Sequence, residues 1–254
     1  MWLSLKSRPM SDSATAPEQP NVPANAIHLH PTAPLAERVL LPGDPGRALA
    51  LAQALLEQPL MFNHNRGLWG YTGTAGDGKP LTIQSTGMGG PSAAIVLAEL
   101  IALGAQRAIR VGTCGALAPE LVLGELVIAR ESICADGTSR ALGAGAARTS
   151  ADEQLTAALV GAASAARSGT VVSVDLFYET DGAPRADAHD DALAVEMEAA
   201  TLFALGAREH VPVACLLTVS DTFTADGERT RIDTDLLRTA AERMGAVALA
   251  ALGD

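Results

Sequence analysis

Aromatic side chains are nearly missing from this chain, with two Trp, two Tyr and four Phe among 254 residues. Its core must therefore be aliphatic, and any aromatic in a loop becomes a candidate ligand platform. Cysteine is equally scarce. Cys114, Cys134 and Cys215 lie in or beside apolar stretches, and their odd number and lack of CxxC spacing argue against a disulfide framework or a zinc site. They read as small buried hydrophobes in a reducing compartment. The histidines (His28, His30, His64, His189 and His210) form no HxxxH or HExxH pattern, so no metal is expected. No run of Lys and Arg occurs and the net charge is −11. A polyanion such as DNA, or an anionic membrane, would be repelled. No stretch is long and apolar enough to span a bilayer. Met1 to Met10 lacks the apolar run of a signal peptide, so a cytoplasmic location is expected.

The acidic balance has a second consequence. A small anionic substrate would be repelled too, so an anion site would have to concentrate arginines locally.

Hydrophobic residues make up 48% of the chain, the composition of a globular protein. Residues 11 to 26 are rich in Ser, Ala, Pro and Asn. Residues 1–26 are therefore expected to form a disordered leader, with Met10 as an alternative start, and 27–254 a single domain. From Arg38 onward strands and helices alternate. Strands are expected at Arg38–Leu41, Leu60–Asn63, Gly70–Thr74, Leu81–Ser85, Arg107–Gly112, Leu126–Ala129, Thr170–Val174 and Val213–Val219. Helices are expected over 46–56, 92–103, 151–166, 195–205 and 234–252, with a loop over 136–150. Gly104 is a natural residue to end the second helix. The alternation predicts a three-layer α/β/α sandwich with a mixed, largely parallel central sheet, the hairpin at Asp77-Gly78 adding antiparallel strands. Ligands gather in such folds where strands end in turns.

Five groups carry chemistry. Gly43-Asp44-Pro45-Gly46-Arg47 joins a strand to a helix, where backbone N–H groups and the helix dipole favour an anion. Arg110 interrupts an apolar strand, which is costly unless it pairs with a carboxylate or faces a cleft. Gly112, Thr113 and Gly115 follow it as possible donors to phosphate oxygens. Asn65-Arg66-Gly67 reads alone as an exposed loop. Glu196-Met197-Glu198 is either helix N-terminal charge or a carboxylate pair for vicinal hydroxyls. Ser220-Asp221 ends the most apolar strand, where partial desolvation suits a general acid and turn capping is the simpler alternative.

Singly these groups are ordinary; their order is not. Pro42-Gly-Asp-Pro-Gly-Arg47, Asn65-Arg-Gly67, Thr86-Gly-Met-Gly-Gly-Pro-Ser92, Arg110-Val-Gly-Thr-Cys-Gly115, Asp175-Leu-Phe-Tyr178, Val195-Glu-Met-Glu-Ala199 and Val219-Ser-Asp221 succeed one another. From about Ile27 onward the chain resembles the purine nucleoside and uridine phosphorylases of the hexameric type. The resemblance implies that Gly43, Arg47, Arg110 and Thr113 bind phosphate, with Arg66 lent by a neighbouring subunit. It implies that His28, across the same interface, meets the ribose 5′-hydroxyl. Met197 and Glu198 would hold the ribose, Phe177 would stack on the base, and Asp221 would protonate the leaving purine with Ser220 beside it. The implied reaction is phosphorolysis of purine (deoxy)ribonucleosides, with inorganic phosphate as co-substrate and no metal or organic cofactor. The implied assembly is dimer-based, commonly a hexamer.

Asp221 follows the purine pattern, and the stretch after Phe177 lacks the Gln of the uridine enzymes, although Thr86–Ser92 is close to theirs. Uridine phosphorolysis is therefore the alternative. A hydrolytic nucleosidase of the same fold would not need Arg47, Arg66 and Arg110 together, and a non-catalytic binding protein would not need Glu198 and Asp221 as well. The loop over 136–150 and the segment after Asp221 are shorter than the family's. Both Arg229 and Arg231 are candidates to engage the acid.

Overall fold

The computed structural model describes residues 26–144, 147–178, 191–224 and 228–253. Apart from Ala26, the expected leader lies outside the described residues, as do His189 and most of the stretch after Phe177 in which the uridine enzymes carry their Gln.

The chain runs β1 (Arg38–Leu41), α1 (Pro45–Leu55), β2 (Leu56–Asn63), a single 3-10 turn at Asn65–Gly67, β3 (Gly70–Ala75), β4 (Pro80–Gln84) and α2 (Gly90–Leu103). Next come β5 (Arg107–Ala116), β6 (Leu126–Cys134), α3 (Gly137–Ala141), β7 (Arg148–Ser150), α4 (Glu153–Ala162) and β8 (Arg167–Ser173). It ends with β9 (Ala192–Glu196), α5 (Ala199–Glu209), β10 (Val213–Phe223), β11 (Arg229–Arg231) and α6 (Thr234–Leu252).

β5 is the hub of one mixed sheet. It runs parallel to β1, with Leu41 opposite Arg110, and to β10, with Cys215 opposite Arg110. Its last residues leave β1 and pair antiparallel with β9, Gly115 opposite Val195. β9 is parallel to β8, β8 is parallel to β6, and β6 is antiparallel to β10. This circuit therefore closes on itself, while β4, β3 and β2 extend the sheet outward from β1.

Successive strand residues point to opposite faces, and here both faces are covered. Val39, Leu217 and Val219 pack with Val96, Leu97, Leu100, Leu202 and Phe203 of α2 and α5. Leu40, Ile109 and Leu216 pack with Leu51, Leu159, Met244 and Leu252 of α1, α4 and α6. Burial on both faces is why β10 is almost wholly apolar from Val213 to Val219, with Thr218 the exception.

Three expectations need correction. Val195–Glu198 does not open a helix. Val195 is paired with Val172 and Gly115 inside the sheet, and α5 starts only at Ala199. The loop over 136–150 contains α3, capped by Asp136 through the Ser139 N–H at 2.7 Å, and β7, which pairs with β6. The helix foreseen over 151–166 is shorter because Asp152 caps it and β8 begins at Arg167. Antiparallel pairing also extends well beyond the Asp77 hairpin, to β10 with β6 and β11 and to β5 with β9.

Candidate active site

Local chemistry builds the first wall. Asp44 caps α1 by accepting the Arg47 N–H at 2.6 Å, and Pro45 supplies the preset φ of a first helical turn. The cap fixes Arg47 at the helix N-terminus. Burial pulls the Arg47 guanidinium below its ordinary pKa; Asp44 and Glu198 oppose this and the like charge of Arg110 adds to it. Its guanidinium has no hydrogen-bond partner among the described residues. Gly43 lies against the Thr86–Ser92 loop, where a Cβ would stand 3.2 Å from the Gly87 carbonyl oxygen and 4.0 Å from Arg110 Nη1.

Arg110 is the centre of the second wall. Its Nε donates to Glu196 Oε2 at 3.0 Å, and its Nη2 lies 2.5 Å from Glu198 Oε2. The expected alternative, a pairing with an internal carboxylate, is thus present twice. Burial opposes the charge of Arg110, but Glu198 and Glu196 outweigh it and raise the pKa. Arg110 Nη1 remains buried without a hydrogen-bond partner among the described residues. Such an orphan donor costs roughly 1–3 kcal/mol. Gly112 makes room for the group, since a Cβ there would stand 2.8 Å from the guanidinium carbon.

Glu196 is a positioning residue that the sequence did not single out from its neighbour. Besides Arg110 it accepts the Ser173 hydroxyl and the N–H groups of Glu198 (2.9 Å) and Ala199 (2.9 and 3.0 Å). Burial pushes its carboxyl up, with Arg110 opposing and Glu198 adding. Glu198 is less enclosed by partners. It accepts the Gly89 N–H at 2.5 Å and Arg110 at its other oxygen, which leaves lone pairs on both oxygens for hydroxyl donors. Gly89, at φ 84°, holds a backbone conformation that a side chain would strain, and so turns its N–H toward Glu198. Met197 lies half-buried between the two acids, and Thr113 is half-buried on β5 with no hydrogen bond from its hydroxyl among the described residues.

Asp221 lies further along, opposite Gly115 after a bulge in the β10–β5 register. Its Oδ2 accepts the Ser220 hydroxyl at 2.7 Å, and its Oδ1 accepts Arg229 Nε at 2.7 Å, with Arg231 Nη1 at 3.5 Å. Arg229 is thus the closer of the two arginines. Its guanidinium also lies 4.7 Å over the exposed ring of Phe177, and Tyr178 meets that ring edge-on at 5.1 Å.

His28 and Arg66 belong to another hydrogen-bonded assembly. Glu99 of α2 accepts the N–H groups of Ile27, His28 and Leu29 and lies 2.6 Å from His28 Nδ1. Burial alone would raise the Glu99 carboxyl, but these donors outweigh it and hold it low. Asn65 Nδ2 donates to the His28 carbonyl at 3.0 Å, which ties the Asn65–Gly67 turn to His28. Arg66 sits there at φ 57°, strained for a residue with a side chain. It is exposed, and its guanidinium has no hydrogen bond or ion pair among the described residues. Glu99 carried no sequence signal, because it lies 70 to 72 positions from its partners.

Among the described residues no cluster of His, Cys, Asp or Glu is arranged to hold a metal, and no helix is long and apolar enough to cross a membrane. A cavity of about 690 Å³ between α4 and α6, lined by Ala162, Leu236, Ala240 and Val247, contains none of these site residues.

The Phosphorylase superfamily model matches residues 37–253. The DeoD-type purine nucleoside phosphorylase of Alkaliphilus metalliredigens is 40% identical over 204 residues, covering 77% of this chain and 87% of the relative. That of Caldanaerobacter subterraneus is 37% identical over 220 residues, covering 82% and 94%. Among solved structures, purine nucleoside phosphorylase from Toxoplasma gondii in complex with immucillin-H aligns with a TM-score of 0.78 and 25% identity, over 85% of this chain and 90% of that one.

Proposed function

This chain belongs to the phosphorylase superfamily, and from that premise we propose how its residues divide the work of a purine nucleoside phosphorylase. The reaction is phosphorolysis: a phosphate oxygen bonds to the anomeric carbon, the N-glycosidic bond breaks, and free base and pentose 1-phosphate result. The observation that carries the assignment of residues is Arg110 Nη1, a buried donor without a partner among the described residues, beside the glycine turn that precedes Arg47.

Phosphate accepts from Arg110 Nη1, the Arg47 guanidinium, the backbone at Gly43 and the Thr113 hydroxyl. Arg66 of a second subunit completes its charge. Held in this way, phosphate is both nucleophile and counter-charge to the oxocarbenium character that develops at the sugar. The free lone pairs of Glu198 accept the 2′- and 3′-hydroxyls, Met197 packs against the ribose, and His28 of the second subunit meets the 5′-hydroxyl. Phe177 stacks on the base. Asp221, oriented by Ser220, gives its proton to the departing purine, and Arg229 balances the carboxylate that remains. No step requires a metal or organic cofactor. The active unit is a dimer, assembled into a hexamer, in the cytoplasm.

The test is turnover of inosine, guanosine, adenosine and uridine with and without phosphate. Phosphate-dependent release of purines, with pentose 1-phosphate as co-product, is expected. Phosphate-independent release of free ribose, or a preference for uridine, would refute it.

A further inference from the structure

Arg231 stands directly opposite Asp221 in the β10–β11 register, with Arg229 two residues earlier on the same face. The strand is pinned there by the Ile232 N–H, which donates to the Ser220 carbonyl at 2.8 Å. Both guanidiniums reach the same oxygen of Asp221, but unequally. Arg229 is held in place by a 2.7 Å hydrogen bond from its Nε and by its stack on Phe177. Arg231 makes one long contact of 3.5 Å, its side chain is 61% exposed, and its remaining N–H groups have no partner among the described residues. One carboxylate thus faces two cations, and the second cation has donors to spare.

We propose that Arg231 reads the 6-position of the purine and makes the enzyme prefer 6-oxopurine nucleosides over 6-aminopurine nucleosides. This rests on the phosphorolysis proposed above, with Asp221 at purine N7. The C6 substituent is next to N7 on the same edge of the base. Hypoxanthine and guanine present two acceptors there, N7 and O6, the pattern that paired guanidinium donors read. Adenine presents one acceptor and an amino donor, and a guanidinium has no acceptor to offer it. The reaction widens the difference. Electrons of the breaking C1′–N9 bond enter the purine ring and add negative charge at O6, so a donor aimed at O6 binds the transition state more strongly than the ground state.

The experiment measures kcat/KM for inosine and adenosine at saturating phosphate, and Kd for hypoxanthine and adenine by calorimetry, on the wild type, Arg231→Gln and Arg231→Lys. The wild type is expected to favour inosine and hypoxanthine by roughly tenfold or more, the scale of a charge-assisted hydrogen bond. Arg231→Gln offers both a donor and an acceptor and is expected to bring both ratios to within about threefold. Arg231→Lys keeps the charge without the fork and is expected to fall between. A wild type with no 6-oxo preference, or a preference that both variants retain, overturns the proposal. The binding arm decides this even if phosphate cleaves neither nucleoside, an outcome that would instead overturn the phosphorolysis.

Discussion

Arg110 Nη2 and Glu198 Oε2 lie 2.5 Å apart. The cation proposed for phosphate and the carboxylate proposed for the sugar are therefore one ion pair, and neither co-substrate subsite is electrically independent of the other. Glu196 holds the pair from behind.

Removing that support has a large effect. Glu196→Ala leaves the buried Arg110 one carboxylate short and frees the N–H groups of Glu198 and Ala199. Breaking a buried pair in this way costs about 3–5 kcal/mol. Urea unfolding at neutral pH is expected to show that loss, and surviving enzyme is expected to saturate poorly with phosphate. A variant within about 1 kcal/mol of the wild type would show that Glu196 does not position Arg110.

The proton donor separates from the phosphate site. Asp221→Asn is expected to lower kcat for inosine by roughly 10²–10⁴-fold, the usual contribution of a general acid. The KM for phosphate is expected to move little, because Asp221 makes no contact with Arg47 or Arg110. Steady-state kinetics on both substrates checks this; an unchanged kcat would remove Asp221 from the mechanism.

Subunit sharing predicts complementation. Arg66→Ala and Asp221→Asn homo-oligomers are each expected to be strongly impaired. A mixed dimer contains one site with an intact Asp221 and a neighbour's intact Arg66. Unfolding the two variants together and refolding them is expected to restore a substantial part of wild-type activity. Recovery no greater than the sum of the separately refolded variants would place Arg66 outside its neighbour's site, and an active monomer would do the same.

Acid sensitivity has a specific source away from the site. The hydrogen bonds from Arg38 hold Asp77 at about 2, below its ordinary 3.8, with burial opposing and the Lys79 N–H helping. A depressed carboxyl contributes stability that is complete above its unfolded pKa and disappears as pH falls through the folded one. Wild-type stability is therefore expected to decline between pH 3.8 and about 2 in part through this pair. Asp77→Asn is expected to be less stable at pH 7 and to lose that part of the decline. Urea midpoints at pH 7, 4 and 3 test it; parallel curves for the two proteins would contradict it.

Features made by neighbours in the chain were legible in the sequence. Asp44 caps α1 three residues from the N–H that it accepts, and Gly104 ends α2 in the left-handed conformation expected of it. The apolar run of β10 announced a strand buried on both faces. Val195–Glu198 misled for the same local reason: two acids before an alanine-rich stretch resemble a helix start, and only pairing with β8 and β5 shows that the segment enters as a strand.

The sequence by itself determined the class of fold, the family and which chemical groups are candidates for the site, because these rest on periodicity, capping and the order of motifs. Tertiary structure alone decided how the groups are coupled. Arg110 meets Glu196 across 86 positions, His28 meets Glu99 across 71, and Asp221 takes its shorter hydrogen bond from Arg229 although the strand register sets Arg231 opposite it. Spacing along a chain fixes which side chains share an element. Which charge lies against which is fixed by how separate elements pack, and in this −11 chain packing brings Arg47 and Arg110 together beside Glu198.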